Sequence, residues 1–566
     1  MSFEYEFAEK YLAEKHGIEI IALDILKDDG NVFSSAIYQP TATIVASDAK
    51  IAHADVALSE KKAGLFLKVA AEKQYSLAIT PEYSTPWETI KKIGTDYSPN
   101  QGAIWIVGGE SITLTELQQV KSDLGVQVIF QEEGLTTTGS FLDPVCFIFW
   151  TKKSDGSEPA KLTMLVQFKT QQMSDAKSNL ERKNLVKGNK IYVFGKTSGI
   201  LLYTIVCSDS LDFSDKILKD NPYVPIIMIH IQLCFNPNHS NFKSYRNSFF
   251  GNQAGNRVLI CANWAKTTKI SKVDLAATDN FGRSGIFLKL KMDVAHNKVL
   301  KNHVKGSYYT YCKDLYAHYL VLNYEEGIYV LKMSKAGTAG VVGSGGSYMF
   351  PELETVLEWN ASGAFAVVDK RNDGYVQSWE QQDVPITREA GKMDAIKKEI
   401  LINRCAGFIS KNNSLQDIKS FRLDETENLM RLTFTHDMSD IARMFRQKLS
   451  ADFNRFISEV LVAGAHFPGH MNYLKHPLEL GFWGNYEEFN VCDQSEQPLM
   501  ACYIGTITSA EDIEVAFKDL KKNYKGTDIN RVVVFYHEGI ALKCKFEVNL
   551  QITKVLNRPG PSILEI

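Results

Sequence analysis

Tyr203-Thr-Ile-Val-Cys207-Ser-Asp209 is the stretch on which the reading of this chain turns: an apolar, β-branched run ends on a cysteine and passes at once into a polar turn. Two other segments share the design. Leu77-Ala-Ile-Thr-Pro-Glu82-Tyr-Ser brings out a carboxylate behind a proline, and Leu165-Val-Gln-Phe-Lys169 closes an apolar run on a lysine. Strand ends are where α/β proteins display reactive groups, because the sheet fixes them while the loops stay free. Singly, each has a plainer reading: a turn carboxylate, a solvated edge lysine, a small buried thiol. The order Glu82, Lys169, Cys207 and the sequence around each residue separate the set from those readings.

Outward from these segments, the chain from about residue 39 to 335 alternates short apolar runs with helical stretches. Strands are expected at Ala42–Ala46, Leu77–Thr80, Ile104–Val107, Val126–Phe130, Val145–Trp150, Leu162–Phe168, Leu201–Val206, Ile226–Ile231, Val258–Ala262, Gly285–Lys291 and Tyr319–Asn323. Helices are expected at Ala54–Lys73 and Leu114–Asp123. That alternation predicts a layered α/β domain. Residues 1–38 read as an N-terminal extension with a short helix and a strand-like Ile18-Glu-Ile-Ile-Ala-Leu.

The Gly/Ser stretch from Lys335 to Ser347 is the clearest boundary signal, so 336–358 reads as a linker and 359–566 as a second, α+β domain. There the sequence suggests a hairpin at Asn372-Asp-Gly-Tyr, helices at Met393–Ile402 and Met438–Val462, and a strand–helix–strand–strand region from Leu499 to Val555.

Composition bounds the function. The 566 residues carry 63 basic and 66 acidic side chains, a net charge of −3, and 45% hydrophobic residues. Intrinsic disorder is excluded, and a dedicated nucleic-acid binder is not expected. Nine scattered cysteines without a CxxC pair exclude zinc-ribbon and thioredoxin readings. The charged N-terminus has no apolar signal region, and the apolar run Tyr223–Phe235 is too short to span a bilayer, so a cytoplasmic protein without a membrane segment is expected.

The Glu82, Lys169, Cys207 order, with spacings of 87 and 38 residues, resembles the carbon–nitrogen hydrolase (nitrilase) superfamily over roughly residues 40–333. Matching segments are Ile79–Tyr83, Ile106-Val-Gly-Gly109, Phe168-Lys169, and Glu181 with Gly188 and Val193-Phe194. Further matches are Gly199 to Asp209, Asn236-Pro237, Arg246, Asn256, Ala262-Asn263 and Gly282-Arg-Ser284. The chain departs from the pattern after Lys169, where Thr-Gln-Gln replaces a frequent histidine, and after Cys207, where Ser replaces a common aromatic.

The resemblance implies an α-β-β-α sandwich and hydrolysis of a non-peptide amide, carbamoyl or nitrile bond without metal or cofactor. It implies Cys207 as nucleophile and Glu82 as general base and acid. Lys169 and the Ser208 backbone N–H become the oxyanion donors, and Asp209 a brace for the turn. Glu181 is either a second glutamate orienting Lys169 or substrate, or a surface charge in Glu-Arg-Lys. Pairing into a homodimer or higher oligomer is also implied.

Other signals carry less. Ser344-Gly-Gly-Ser lacks the aspartate of an ATP-binding loop. His466, His470 and His476 lack helical ligand spacing, and Lys518, Lys521, Lys522 and Lys525 lie among acids on a solvated helix face. The tyrosines between Tyr308 and Tyr319 read as packing. A second hypothesis stays open: a non-catalytic scaffold or sensor of this fold, with residues 359–566 binding a protein or ligand partner.

Overall fold

The computed structural model describes residues 4–27, 31–136, 138–173, 180–196, 199–234, 240–251, 257–265, 267–271, 284–289, 308–312, 317–322, 325–336, 348–368, 405–406, 451–462, 467–471, 474, 478–483, 489–493, 495, 497–507, 509–521, 524 and 526–548. Two compact units divide the chain, Met1–Val294 with Lys301–Arg371, and Ala295–Leu300 with Asn372–Ile566.

The first unit begins β1 (Glu4–Phe7), α1 (Ala8–His16), β2 (Ile18–Ile20), β3 (Val32–Gln39), β4 (Thr43–Ala46), β5 (Ile51–His53), α2 (Val56–Glu72), β6 (Leu77–Ile79), α3 (Trp87–Ile90) and β7 (Ile104–Gly108). It continues α4 (Leu114–Asp123), β8 (Gln127–Phe130), β9 (Pro144–Lys153), β10 (Lys161–Phe168), α5 (Leu180–Asn184), β11 (Lys190–Phe194), β12 (Leu201–Val206), α6 (Lys216–Asp220) and β13 (Ile226–Ile231). Then come α7 (Ser240–Gly251), β14 (Arg257–Ala262), β15 (Lys269–Ser271), β16 (Gly285–Lys289), β17 (Tyr308–Cys312), β18 (Ala317–Val321), β19 (Gly327–Ala336), β20 (Tyr348–Trp359) and β21 (Phe365–Val367).

Two large sheets organise these elements. One runs β1-β11-β12-β13-β14-β16-β18-β17; the other runs β21-β20-β19-β3-β6-β7-β9-β10-β8, with β2 against β9. Because alternate side chains of a strand point to opposite faces, each strand of the second sheet serves two layers. Tyr38, Ala78, Trp105, Val107, Ile148 and Met164 pack with Phe66 and Leu67 of α2 and Leu117 and Val120 of α4. On the other face Phe147 and Phe149 meet Phe194 of β11, with ring centroids 5.0 and 5.6 Å apart. The Gln167 side-chain amide crosses the same interface to donate to the Thr204 carbonyl at 3.0 Å. On the far side of the first sheet, Phe250 of α7 packs on Phe287. The result is the expected α-β-β-α layering.

Local chemistry fixes the helix starts. Asp55 accepts from the Leu58 N–H at 3.0 Å ahead of α2, and Thr113 and Glu116 form a reciprocal capping box on α4.

The sequence-based boundaries need two corrections. Residues 1–38 are not an extension: β1 pairs with β11, β2 with β9, and β3 sits inside the second sheet between β6 and β19. Residues 348–358 are not linker either, since β20 pairs antiparallel with β19 along its length and β21 pairs with β20. The unit therefore runs to Arg371 rather than ending near residue 335.

In the second unit, β22 (Glu479–Trp483), β23 (Phe489–Cys492), β24 (Pro498–Thr506), β25 (Val532–Glu538) and β26 (Ala541–Lys545) form one sheet in sequence order. The strands β24 and β25 are parallel, and α8 (Ala510–Lys521) lies between them in sequence, so the order strand–helix–strand–strand read from Leu499 is the order observed. Phe453, Phe456, Val460, Phe517 and Leu520 join this sheet in one apolar core. The hairpin at Asn372, the helix Met393–Ile402, residues 438–450 of the second expected helix, and His466 and His476 lie outside the described residues. Among the described residues, no helix is long and apolar enough to cross a membrane.

A chain beginning at Gln39 tests the first correction. Loss of β1, β2 and most of β3 is expected to abolish the cooperative thermal unfolding of the first unit. An unchanged midpoint would return these residues to the status of an extension.

Candidate active site

Each of the three strand-end residues is placed by its strand. Lys169 follows β10, whose last residue Phe168 is paired with Pro144 of β9. Cys207 follows β12, which is parallel to β13 with Val206 opposite Ile231. Glu82 lies in the turn after β6, and that turn needs glycine on the neighbouring strand: a Cβ at Gly108 would sit 2.0 Å from the Pro81 carbonyl oxygen. The first glycine of the β7 motif is therefore a clearance for the Glu82 turn. Gly188 does the same beside Lys169, where a Cβ would fall 2.7 Å from the Phe168 carbonyl oxygen.

The Lys169 Nζ is the centre of the arrangement. It donates to Glu82 Oε1 at 2.7 Å and to Glu181 Oε1 at 2.8 Å, and lies 3.5 Å from Asp143 Oδ2. Burial disfavours its charge, but Glu181, Glu82 and Asp143 outweigh that cost and hold the ammonium well above its ordinary range. The second oxygen of Glu82 accepts from the Leu233 N–H at 2.6 Å. Glu181 also accepts from the Tyr83 hydroxyl at 3.2 Å and the Met173 N–H at 2.6 Å. It is buried in the cluster, which decides against the surface-charge reading.

Glu82, Asp143 and Glu181 bring carboxylate oxygens within 4.8 Å of one another. Three acids so close need a compensating positive charge, and the Lys169 ammonium, within 3.5 Å of all three, supplies it.

The Cys207 turn is strained and braced. Its φ is +36°, a left-handed value costly for a residue with a Cβ. Asp209 accepts four hydrogen bonds, from the Thr170 N–H (2.7 Å), the Thr170 hydroxyl (2.9 Å), the Gln171 N–H (2.9 Å) and the Val206 N–H (2.9 Å). Thr170 and Gln171, departures from the family pattern, thereby tie the turn to the end of β10. Burial pushes the Asp209 carboxyl up to about 6, while the Val206 and Thr170 bonds act against the rise.

From the other side, His230 Nε2 lies 2.9 Å from the Cys207 carbonyl oxygen, and its Nδ1 lies 2.5 Å from the Tyr245 hydroxyl. Burial lowers the His230 pKa to about 3. The ring is thus neutral near pH 7, and since a carbonyl only accepts, Nε2 carries the proton. Ser208 is the second residue of the short 3₁₀ turn Cys207–Asp212, where first-turn N–H groups have no intrahelical acceptor.

Burial raises the Cys207 thiol well above its ordinary value, Glu82 raises it further, and Lys169 pulls it down. Glu82, Lys169 and Cys207 are each 1% exposed. The described residues thus leave Cys207 closed off from solvent; 174–179 and 235–239, next in sequence to Met173 and Cys234, lie outside them. Of the family landmarks, Asn236, Pro237, Asn256 and Gly282 are also outside, while the Ser284 hydroxyl donates to the Asn263 carbonyl at 3.1 Å.

Sequence reasoning missed Asp143, Tyr83 and His230. Asp143 reaches Lys169 only through the β9–β10 register, and His230 lies within the apolar run Tyr223–Phe235, where no motif marks it. Pro144, opening β9 directly opposite Phe168, was the one available hint for Asp143.

No family model and no curated protein matches the chain. Solved structures match about half of it. Nit3 of Saccharomyces cerevisiae, a member of branch 10 of the nitrilase superfamily, aligns over 54% of this chain and 90% of its own at 13% identity, with a TM-score of 0.29. An amidase from Nesterenkonia sp. aligns over 54% and 91% at 12% identity, with a TM-score of 0.29. XC1258 from Xanthomonas campestris, a CN-hydrolase superfamily protein, aligns over 46% and 82% at 13% identity, with a TM-score of 0.25.

Asp209→Asn tests the brace. An amide accepts on one atom only and turns its NH₂ toward a backbone N–H that it cannot satisfy. The expected cost is about 1–3 kcal/mol in denaturant-induced unfolding; unchanged stability would show that Asp209 does not hold the turn.

Proposed function

We propose that this chain is a carbon–nitrogen hydrolase of the nitrilase type, cleaving a non-peptide amide, carbamoyl or nitrile bond through a thioester on Cys207. One observation carries the reading: Lys169 Nζ stands 2.7 Å from Glu82 and 2.8 Å from Glu181, in the same buried cluster as a cysteine held at positive φ.

The elevated thiol pKa sets the order of events. The resting nucleophile is a thiol beside a carboxylate, so the proton passes from Cys207 Sγ to Glu82 as sulfur attacks the carbonyl carbon. Negative charge then develops on the former carbonyl oxygen. Two of the three Lys169 N–H bonds serve Glu82 and Glu181; the third, with the Ser208 N–H, is the donor set for that oxygen. Glu82 returns its proton to the departing nitrogen, the C–N bond breaks, and a thioester remains. Water then attacks the thioester while giving a proton to Glu82. The acid leaves, and that proton restores the thiol. Glu181, tied to Tyr83 and Met173, keeps the lysine in place throughout.

The 1% exposure of Cys207 favours a second reading, a scaffold or sensor that keeps the cluster as a structural core and binds its partner through the second unit.

Ammonia release from a panel of small amides separates the two. Activity is expected in the wild type, none in Cys207→Ala, and a loss of about 10²-fold or more in Glu82→Gln. Activity surviving Cys207→Ala would refute the nucleophile. A panel without turnover by the wild type would favour the scaffold.

A further inference from the structure

We propose that Asp143 is held as a neutral acid whose O–H donates to Glu82, making it a positioning residue of the cluster. Its consequence for rate rests on the hydrolase reading; its protonation does not.

The titratable groups facing Asp143 are Glu82 and Tyr83 from the turn after β6, Lys169 from the end of β10, and Glu181 from α5, with Cys207 against Glu82 and Lys169. Three carboxyl groups share one ammonium. Full ionisation would leave two uncompensated negative charges in a closed space, and uncompensated buried charge is strongly unfavourable.

Hydrogen bonding selects which acid keeps a proton. Both oxygens of Glu82 accept, from Lys169 and Leu233, and both oxygens of Glu181 accept, from Lys169, Tyr83 and Met173. Neither oxygen of the fully buried Asp143 accepts a hydrogen bond, because Lys169 Nζ, 3.5 Å from Oδ2, donates to Glu82 and Glu181 instead. Donors stabilise an ionised carboxylate, so the acid without them is the one that remains protonated. Protonation also turns Asp143 from acceptor to donor, with Glu82 within 4.8 Å as its acceptor. Burial, reinforced by Glu82, drives the Asp143 pKa well above its ordinary value, against the pull of Lys169.

A neutral donor at this point fixes the Glu82 carboxylate in the orientation in which it meets Lys169. It also removes one negative charge from the place where the oxyanion forms.

Folding linkage tests the protonation without any substrate. An aspartate whose native pKa exceeds its unfolded value takes up a proton on folding, so its contribution to stability is present at low pH and falls as pH rises. Asp143→Asn is already neutral and lacks this slope. The ratio of the wild-type to the Asp143→Asn unfolding equilibrium constant is therefore expected to rise about tenfold per pH unit between about pH 5 and 7. Parallel stability curves over that range would overturn the proposal.

Infrared spectra of wild-type protein carrying carboxyl-¹³C aspartate give a second reading should the variant not fold. A protonated-carboxyl stretch that moves on labelling is expected at pH 7, and ionised bands alone would contradict it. For the positioning role, Asp143→Val is expected to lower kcat/KM at least tenfold below Asp143→Asn, because only asparagine retains a neutral donor. Equal values would refute positioning while leaving the protonation result intact.

Discussion

The ammonium of Lys169 buried among three carboxyl groups is the constraint on which the first unit is arranged. Its partners come from three separate places, the turn after β6, the residue before β9 and α5, while the lysine itself follows β10. Removing one member of a buried ion pair costs roughly 3–5 kcal/mol because the survivor is left uncompensated. The cluster therefore couples elements distant in sequence, and the sheet order β6-β7-β9-β10 exists in a form that brings their ends together. Gly108 is the steric condition for that convergence, since any side chain there would collide with the turn that presents Glu82.

The cysteine turn is coupled to the same centre by a different route. Asp209 links it to Thr170 and Gln171, the two residues immediately beyond Lys169. His230, neutral and oriented by Tyr245, holds the Cys207 carbonyl from β13. Strain at φ +36° persists because two adjacent strands and the end of a third define the position of the turn. The geometry around Cys207 is thus a property of the sheets.

Most strands were legible because central strands covered on both faces are short continuous apolar runs, as in Ile226–Ile231 and Ile104–Val107. β3 was not, because Ser34 and Ser35 break its apolar run and only the flanking strands β6 and β19 reveal it as central. The Gly/Ser stretch after Lys335 reads as a domain boundary, but β19 before it and β20 after it pair antiparallel within one sheet. Composition cannot distinguish a turn inside a domain from an exit, and the polar alternation of β20 (Glu352, Glu354, Glu358) gave no core signal. Glu82, Lys169, Glu181 and Cys207 were readable from motif order. Asp143 was not, since its role depends on the pairing of Phe168 with Pro144.

The central claim is that this buried cluster activates Cys207 as a nucleophile toward a carbonyl or nitrile carbon. Intact-mass analysis after incubation with a panel of amides, followed by peptide mapping, tests it most directly. A single acyl adduct on the peptide containing Cys207 is the predicted result. An unmodified chain, or modification spread over other cysteines with Cys207 untouched, would contradict the account.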